Sequence, residues 1–193
     1  MPILPPEPAV YPVNLLDDLG RTTSGRRWWI VYTKSRQEKA LARALRAQEV
    51  AHYLPLVARS VSGRGRPVCA FVPVFPCYVF VYGDHRDREL SLKTNRVCSV
   101  LPVPDGDALC SDLARVQTLI DCGEPLTVET RLAPGEWVRV RKGPLEGIEG
   151  TILQRKRRTF LVVAVRMLQQ GVSVEVEDRL VEPATRPPGM PGK

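Results

Sequence analysis

Five cysteines and two histidines are the residues of this chain best suited to nucleophilic, redox or metal chemistry, and their spacing supports none of it. Cys69, Cys77, Cys98, Cys110 and Cys122 are an odd set without a C-x-x-C pair, so neither a disulfide framework nor a thiolate metal set is indicated. They read as thiols that pack like small hydrophobes. His52 and His85 are too few and wrongly spaced for the usual zinc sets. There is no H-E-x-x-H, G-x-S-x-G or P-loop run, and no pair of carboxylates stands out from ordinary surface charge. Cys77 is the one candidate for an enzymatic nucleophile, and the sequence places no evident base beside it. A binding protein without metal or cofactor is expected.

The charges say more. Lys and Arg total 28 against 21 Asp and Glu, a formal net charge of +7, which favours an anionic partner such as nucleic acid. The cations are not scattered. Arg36, Lys39, Arg43 and Arg46 recur at helical spacing on one stripe, with Leu41, Ala44, Leu45 and Gln48 on another. A helix whose apolar stripe faces a core would turn these four cations outward, as phosphate contact requires. Two more, Arg64 and Arg66, sit in the SGRGR turn between extended segments at 52–61 and 67–75, where Gly63 and Gly65 permit a hairpin loop.

The elements that must position these residues can be read in order. Residues 1–25, rich in proline and then polar, predict a flexible tail, with Val13, Leu15, Leu16 and Leu19 as the one patch able to dock. WWIVYTK from Trp28 predicts a strand. Ser35 and Glu38 form an S-x-x-E capping box that would start the helix through residue 50. CYVFVY at 77–82 alternates Tyr78, Phe80 and Tyr82 with Cys77, Val79 and Val81, so both faces are apolar. Such a strand either lies between two helical layers or offers one face to a partner. A short helix over DHRDRELSLK, a strand over RVCSVLPV and a long helix with Leu109, Leu113, Val116 and Ile120 on one stripe complete the first region. Gly123 is a natural C-cap. The fold class is α+β: an α/β sandwich on a mainly antiparallel sheet over 26–122, then a linker over 123–134. From 135 to 184 five short strands with glycine turns predict a small closed β-barrel, and 185–193 a loose tail. No window approaches the roughly 18 apolar residues of a membrane span and no signal peptide begins the chain, so a cytoplasmic monomer is expected.

Two stretches carry a resemblance. WWIVYTKSRQEKAL, then YLP at 53–55 and FVPVFPCYVFV at 71–81, resemble the N-terminal domain of the NusG/RfaH family of transcription elongation and antitermination factors. Gly135-Glu136-Trp137-Val138-Arg139-Val140, followed by Gly143-Pro144-Leu145-Glu146-Gly147-Ile148-Glu149-Gly150, resembles that family's KOW motif, which implies an SH3-like barrel. Here Gly143 and Gly147 would allow a tight loop, and Gly150 backbone angles closed to other residues.

The resemblance implies a non-enzymatic factor that grips the clamp helices of RNA polymerase through Tyr32, Phe75, Tyr78 and Phe80, with Val103 a looser match. Lys34, Arg36, Lys39, Arg43, Arg46, Arg64 and Arg66 would face the DNA of the transcription bubble. Leu145 and Ile148, at the tip of the KOW loop, would meet either the termination factor Rho or a small-subunit ribosomal protein. Such a factor suppresses pausing and modulates termination or antitermination. Cys77 and Arg96 stand where glycine is common, and the gate-loop contact that the specialised paralogue RfaH makes through His-Thr-Thr falls nearest Asp87, Arg88 and Glu89, so that contact is not carried over. These departures and the proline-rich N-terminal extension point to a specialised paralogue. Specialised members can fold the second domain as a helical hairpin, but FLVVAV and VSVEV favour strands, so a stable barrel is expected. The alternative is a ribosome-associated or RNA-binding KOW protein without polymerase contact.

Overall fold

A computed structural model describes residues 8–17, 25–62, 67–132 and 135–186. The chain divides into two compact units, Met1–Asp107 and Ala108–Lys193.

The first unit contains β1 (Val10–Tyr11), β2 (Arg27–Thr33), α1 (Glu38–Ala47), β3 (Ala51–Tyr53), β4 (Leu56–Ser62), β5 (Pro67–Pro73), β6 (Tyr78–Gly83), α2 (His85–Lys93) and β7 (Val97–Pro102). β1, β3, β6, β2 and β7 form one antiparallel sheet in that order. β4 and β5 form a separate hairpin whose ladder runs from Leu56↔Pro73 to Ser62↔Pro67, bounding the expected turn. Its tip residues Arg64 and Arg66 lie outside the described residues.

Side chains alternate across the sheet with period two. Trp29, Val31, Val79 and Val81 pack on Leu41, Ala42 and Leu45 of α1, with Leu90 of α2 against the same core. Trp28, Ile30 and Tyr32 share the opposite face with Tyr82, Phe80 and Tyr78 through the β2–β6 register.

Part of the expected tail is ordered. β1 adds to β3 at Tyr11↔His52 and Val10↔Tyr53, Ala9 accepts from Leu54 N–H at 2.7 Å, and Leu15 and Leu16 are buried. Two paired residues are too few to show a period, which is why the strand is silent in the sequence. Leu19 lies outside the described residues.

The capping box does not form. Arg36 takes a left-handed backbone (φ 60°), so α1 begins at Glu38 behind Gln37, which supplies no side-chain cap. A capping box operates instead on α2, where Asp84 accepts from Asp87 N–H at 3.0 Å and Asp87 accepts from Asp84 N–H at 3.1 Å. The backbone bonds from Asp87 and Arg86 hold the Asp84 carboxyl below the ordinary aspartate value.

The second unit takes in most of α3 (Gly106–Asp121), then β8 (Thr127–Glu129), β9 (Trp137–Val140), β10 (Glu149–Arg155), β11 (Arg158–Val165), β12 (Gln170–Val176) and β13 (Val181–Pro183). Leu109, Leu113, Val116 and Leu119 are buried along α3 and Ile120 only partly, so the stripe ends one residue earlier than its periodicity indicated. Gly123, with φ 74°, supplies the left-handed residue that ends the helix.

The strands expected to close a five-stranded barrel form instead a six-stranded antiparallel sheet in the order β13-β9-β10-β11-β12-β8, whose end strands β13 and β8 do not pair with each other among the described residues. β8 is the addition: Thr127–Glu129, read as linker, pairs with β12 at Gly171↔Glu129, Val172↔Val128 and Ser173↔Thr127. The runs expected to resist helix formation are the strands β11 and β12. Gly150 is required for a reason other than the expected one. Its φ is not positive, but a Cβ there would lie 2.5 Å from the Val162 carbonyl oxygen of the neighbouring strand.

His52 links the docked N-terminal segment to the fold. It is buried, stacks on Tyr11 with ring centroids 6.0 Å apart and donates from Nδ1 to the Val50 carbonyl at 2.8 Å. Burial pushes its imidazole below the ordinary value and the Arg46 charge adds to this, against the opposing backbone bond. A folded value below the unfolded one means the unfolded chain binds the extra proton. His52 therefore contributes stability that is complete above about pH 6.5 and lost as the pH falls towards and through the folded value. Denaturant midpoints should fall between pH 7 and 5 in the native chain and fall less in His52→Gln.

Candidate partner-binding face

The aromatic face of the first unit is graded from closed to open. At its interior end Tyr53, Phe75 and Phe80 are fully buried. Phe75 meets Phe80 edge-on with centroids 6.2 Å apart and an interplanar angle of 87°, and Tyr53 stacks on Phe80 at 6.3 Å. Such pairs add roughly 0.5–1.5 kcal/mol beyond their buried area. At the other end Tyr32 and Tyr78 lie 5.3 Å apart, centroid to centroid. Tyr32 is 40% exposed and Leu101 51% exposed, and the β2–β7 register puts Leu101 opposite Ile30 and Ser99 opposite Tyr32.

The five residues proposed for the polymerase therefore divide. Tyr32 and the half-buried Tyr78 are accessible; Phe75, Phe80 and Val103 are interior, and Val103 lies at the Trp28 end of β2, away from the accessible pair. Leu101 joins the open patch and was not among the sequence candidates. The strand alternation that puts Leu101 and Ser99 on one side of the RVCSVLPV run was the available signal.

A polar anchor fixes this end of the sheet. Cys77 has φ 66°, a left-handed conformation that costs most residues with a Cβ roughly 1–2 kcal/mol. Its backbone N–H donates to Glu38 Oε1 at 2.8 Å, and its carbonyl accepts from Thr33 N–H at 2.8 Å. Glu38 is buried, so the carboxylate that sequence spacing assigned to a helix cap instead ties the start of α1 to the turn before Tyr78. Burial pushes the Cys77 thiol up, with the Glu38 carboxylate adding to it. The left-handed backbone accounts for glycine being usual at this position in the family the sequence resembles.

At Arg96, the other departure, the left-handed residue is the preceding Asn95 (φ 57°). Arg96 is freed from that role; its guanidinium donates to Gln37 Oε1 and its carbonyl accepts from Lys34 N–H at 2.8 Å.

The cations gather along α1 and the turn before it. Lys34, Arg36, Arg43 and Arg46 are exposed and Lys39 half-buried. Lys34 Nζ donates to Asn95 Oδ1 at 3.2 Å, and the Arg46 guanidinium lies 5.8 Å above the Tyr11 ring. Five of the seven predicted cations thus share one surface region, and Arg96 stands beside it.

In the second unit the KOW-like loop is closed by its own backbone. Val140 N–H donates to Ile148 O at 2.9 Å and Gly147 N–H to Val140 O at 2.8 Å, while Gly143 (φ 101°) and Gly147 (φ 81°) make the reversals. Leu145 is buried and Ile148 half-buried, so of the two expected partner residues Ile148 is the more accessible.

Both sides of the Cys77 turn can be tested by denaturant unfolding of the full chain. Cys77→Gly relieves roughly 1–2 kcal/mol of left-handed strain and adds about 0.5–1 kcal/mol of unfolded-state entropy. A gain of roughly 0.5–1 kcal/mol is the net expectation. Glu38→Ala leaves the Cys77 N–H without its charged acceptor and should cost about 1.5–3 kcal/mol.

Residues 26–111 match the model of the family described as transcription termination factor NusG. Among solved structures, the chain is similar to Thermotoga maritima NusG, in a structure concerned with its domain interaction, at 20% identity and a TM-score of 0.45, covering 83% of this chain and 98% of that one. It is also similar to conformation B of the MjSpt4:Spt5 complex at 15% identity and a TM-score of 0.29, covering 82% and 97%. Conformation A gives 15% identity and a TM-score of 0.26, covering 82% and 99%. No curated protein sequence matches the chain. The segment that matches the NusG family model, residues 26–111, carries strands β2–β7, both packed helices and most of the aromatic face.

Proposed function

We propose that the chain is a transcription elongation factor that rides on RNA polymerase through the open end of its aromatic face. The observation that carries this reading is the Tyr32–Tyr78 pair, beside exposed Leu101, on the segment that matches the NusG family model. Aromatics at such a seam bury large area without an ionised group, which suits a binding hot spot. The clamp helices of the polymerase are the expected partner. Lys34, Arg36, Lys39, Arg43 and Arg46 then face the DNA of the transcription bubble and add salt-sensitive, sequence-independent affinity.

Bridging the clamp limits its opening and suppresses pausing. A preference of about 1.4 kcal/mol for the closed clamp changes the open-to-closed ratio roughly tenfold. The second unit is read as a KOW-type barrel that recruits Rho or a small-subunit ribosomal protein and so sets termination against antitermination. Its curl supports that reading: Arg155 of β10 reaches Glu129 of β8 in a paired contact of 2.8 and 3.1 Å, although the two strands stand three places apart in the sheet. The raised Cys77 thiol argues against Cys77 as a nucleophile, because the thiolate is the reactive form. The strained cysteine, Arg96 and the ordered N-terminal segment support a specialised paralogue, acting in the cytoplasm as a monomer.

The test is retention of the full chain by immobilised core RNA polymerase. Tyr32→Ser with Tyr78→Ser should weaken binding by at least about tenfold while circular dichroism and unfolding midpoint stay near native, since neither ring is fully buried. Undiminished binding by the folded double variant contradicts the proposal. Phe80→Ser does not serve, because Phe80 is fully buried and its loss unfolds the unit.

A further inference from the structure

The hairpin between β10 and β11 is built against its own conformational preference. The strands pair down to Arg155↔Arg158, leaving Lys156 and Arg157 as a two-residue loop with φ 47° and 65°. Positive φ at both central positions is the type I′ turn, whose twist matches the strands and whose usual occupants are Asn-Gly, Asp-Gly or Gly-Gly. Long cationic side chains gain nothing from that backbone. Strain kept at an exposed tip directs attention to what those side chains do.

The flanking arginines are engaged. Arg155 donates to both carboxylate oxygens of buried Glu129 at 3.1 and 2.8 Å, and Arg158 pairs with Glu175 at 3.0 Å. The acids next along the chain from β12 are also engaged, Asp178 by the Thr159 hydroxyl and Glu177 by Arg179. Glu129 is tied further to the Ser173 hydroxyl at 2.5 Å. These pairs brace the base of the hairpin. Among the described residues neither Lys156 nor Arg157 meets a carboxylate, and both are exposed. The result is a hairpin tip carrying two adjacent cations without an acidic partner among the described residues, while the guanidinium groups of Arg155 and Arg158 behind them are ion-paired.

We propose that the Arg155–Arg158 hairpin tip is a nucleic-acid backbone contact of the second unit, taking phosphodiester groups of RNA or DNA without regard to sequence. A phosphate chain is the partner whose charge spacing suits neighbouring cations on a braced tip, and such contacts position a protein without reading bases. The inference rests on the transcription reading only for where the nucleic acid comes from.

The turn geometry itself supplies the test. Lys156→Asn with Arg157→Gly removes both charges and installs the preferred type I′ pair, so the variant should unfold at a higher temperature than the native chain. Binding of the full chain to a single-stranded RNA and to duplex DNA is measured from about 0.05 to 0.3 M salt. The variant should bind roughly tenfold or more weakly near 0.1 M salt. Its slope of log affinity against log salt should be shallower by about 1.4 on the single strand or 1.8 on the duplex, as expected for two lost phosphate contacts. Whichever nucleic acid shows the larger loss is the source. A folded variant with native affinity and slope on both overturns the proposal. Retention by RNA polymerase, read in parallel, should be unaffected, so failure here is separable from failure of the polymerase-binding reading.

Discussion

The first unit depends on one constraint, the register of the β2–β6 ladder. It runs from Arg27↔Gly83 to Tyr32↔Tyr78, and both faces of both strands carry large apolar side chains. Because the pleat has a period of two, a slip of one residue would exchange the faces, moving Trp29, Val31, Val79 and Val81 from beneath α1. The packing of α1 therefore fixes which aromatics occupy the other side, and that register places Tyr32 beside Tyr78. The Glu38 carboxylate secures the same end through Cys77 N–H. The accessible pair is held by a closed core on one side, by Phe80 and Phe75 within its own face, and by a buried polar anchor at its margin.

Left-handed residues mark several places where this architecture turns sharply. Arg36 delays the start of α1 by its turn, Cys77 bends the chain into β6, Asn95 bends it into β7, and Lys156 with Arg157 reverses β10 into β11. None of these five is glycine. At Cys77 the strained backbone presents its N–H to Glu38; at Asn95 the side chain accepts from Lys34. Two of the turns, at Arg36 and at Lys156–Arg157, carry exposed cations.

Elements with a clear period were legible in the sequence, and elements defined by only a few contacts were not. The strands at Trp28–Thr33 and Tyr78–Gly83 show alternation over enough residues to register; the apolar stripe of α1 was right at Leu41 and Leu45, but Ala42 rather than the half-buried Ala44 joins the core and Gln48 is exposed. β1 and β8 contain two and three paired residues and exist only because an edge strand is available to receive them. The Ser35–Glu38 spacing satisfied the rule for a capping box, but the left-handed Arg36 and the backbone N–H of Cys77 competed for the geometry and the carboxylate. For the candidate face, sequence identified the aromatics and not their depth. Tyr32, Phe75, Tyr78 and Phe80 look alike in a run of letters, and only packing distinguishes the exposed ring of Tyr32 from the enclosed ring of Phe80. Leu101 was missed because a lone leucine on a short strand is ordinary, and becomes notable only beside Tyr32.

The central claim is that the open end of the aromatic face touches RNA polymerase. Placing a photo-crosslinking aromatic residue at position 32 of the full chain, and separately at position 92 on α2, where Leu92 is 40% exposed, tests it directly. Irradiation with core RNA polymerase should yield a covalent adduct from position 32 and little from position 92. An adduct from position 92 with none from position 32, or none from either while the chain remains bound to polymerase, would contradict the account.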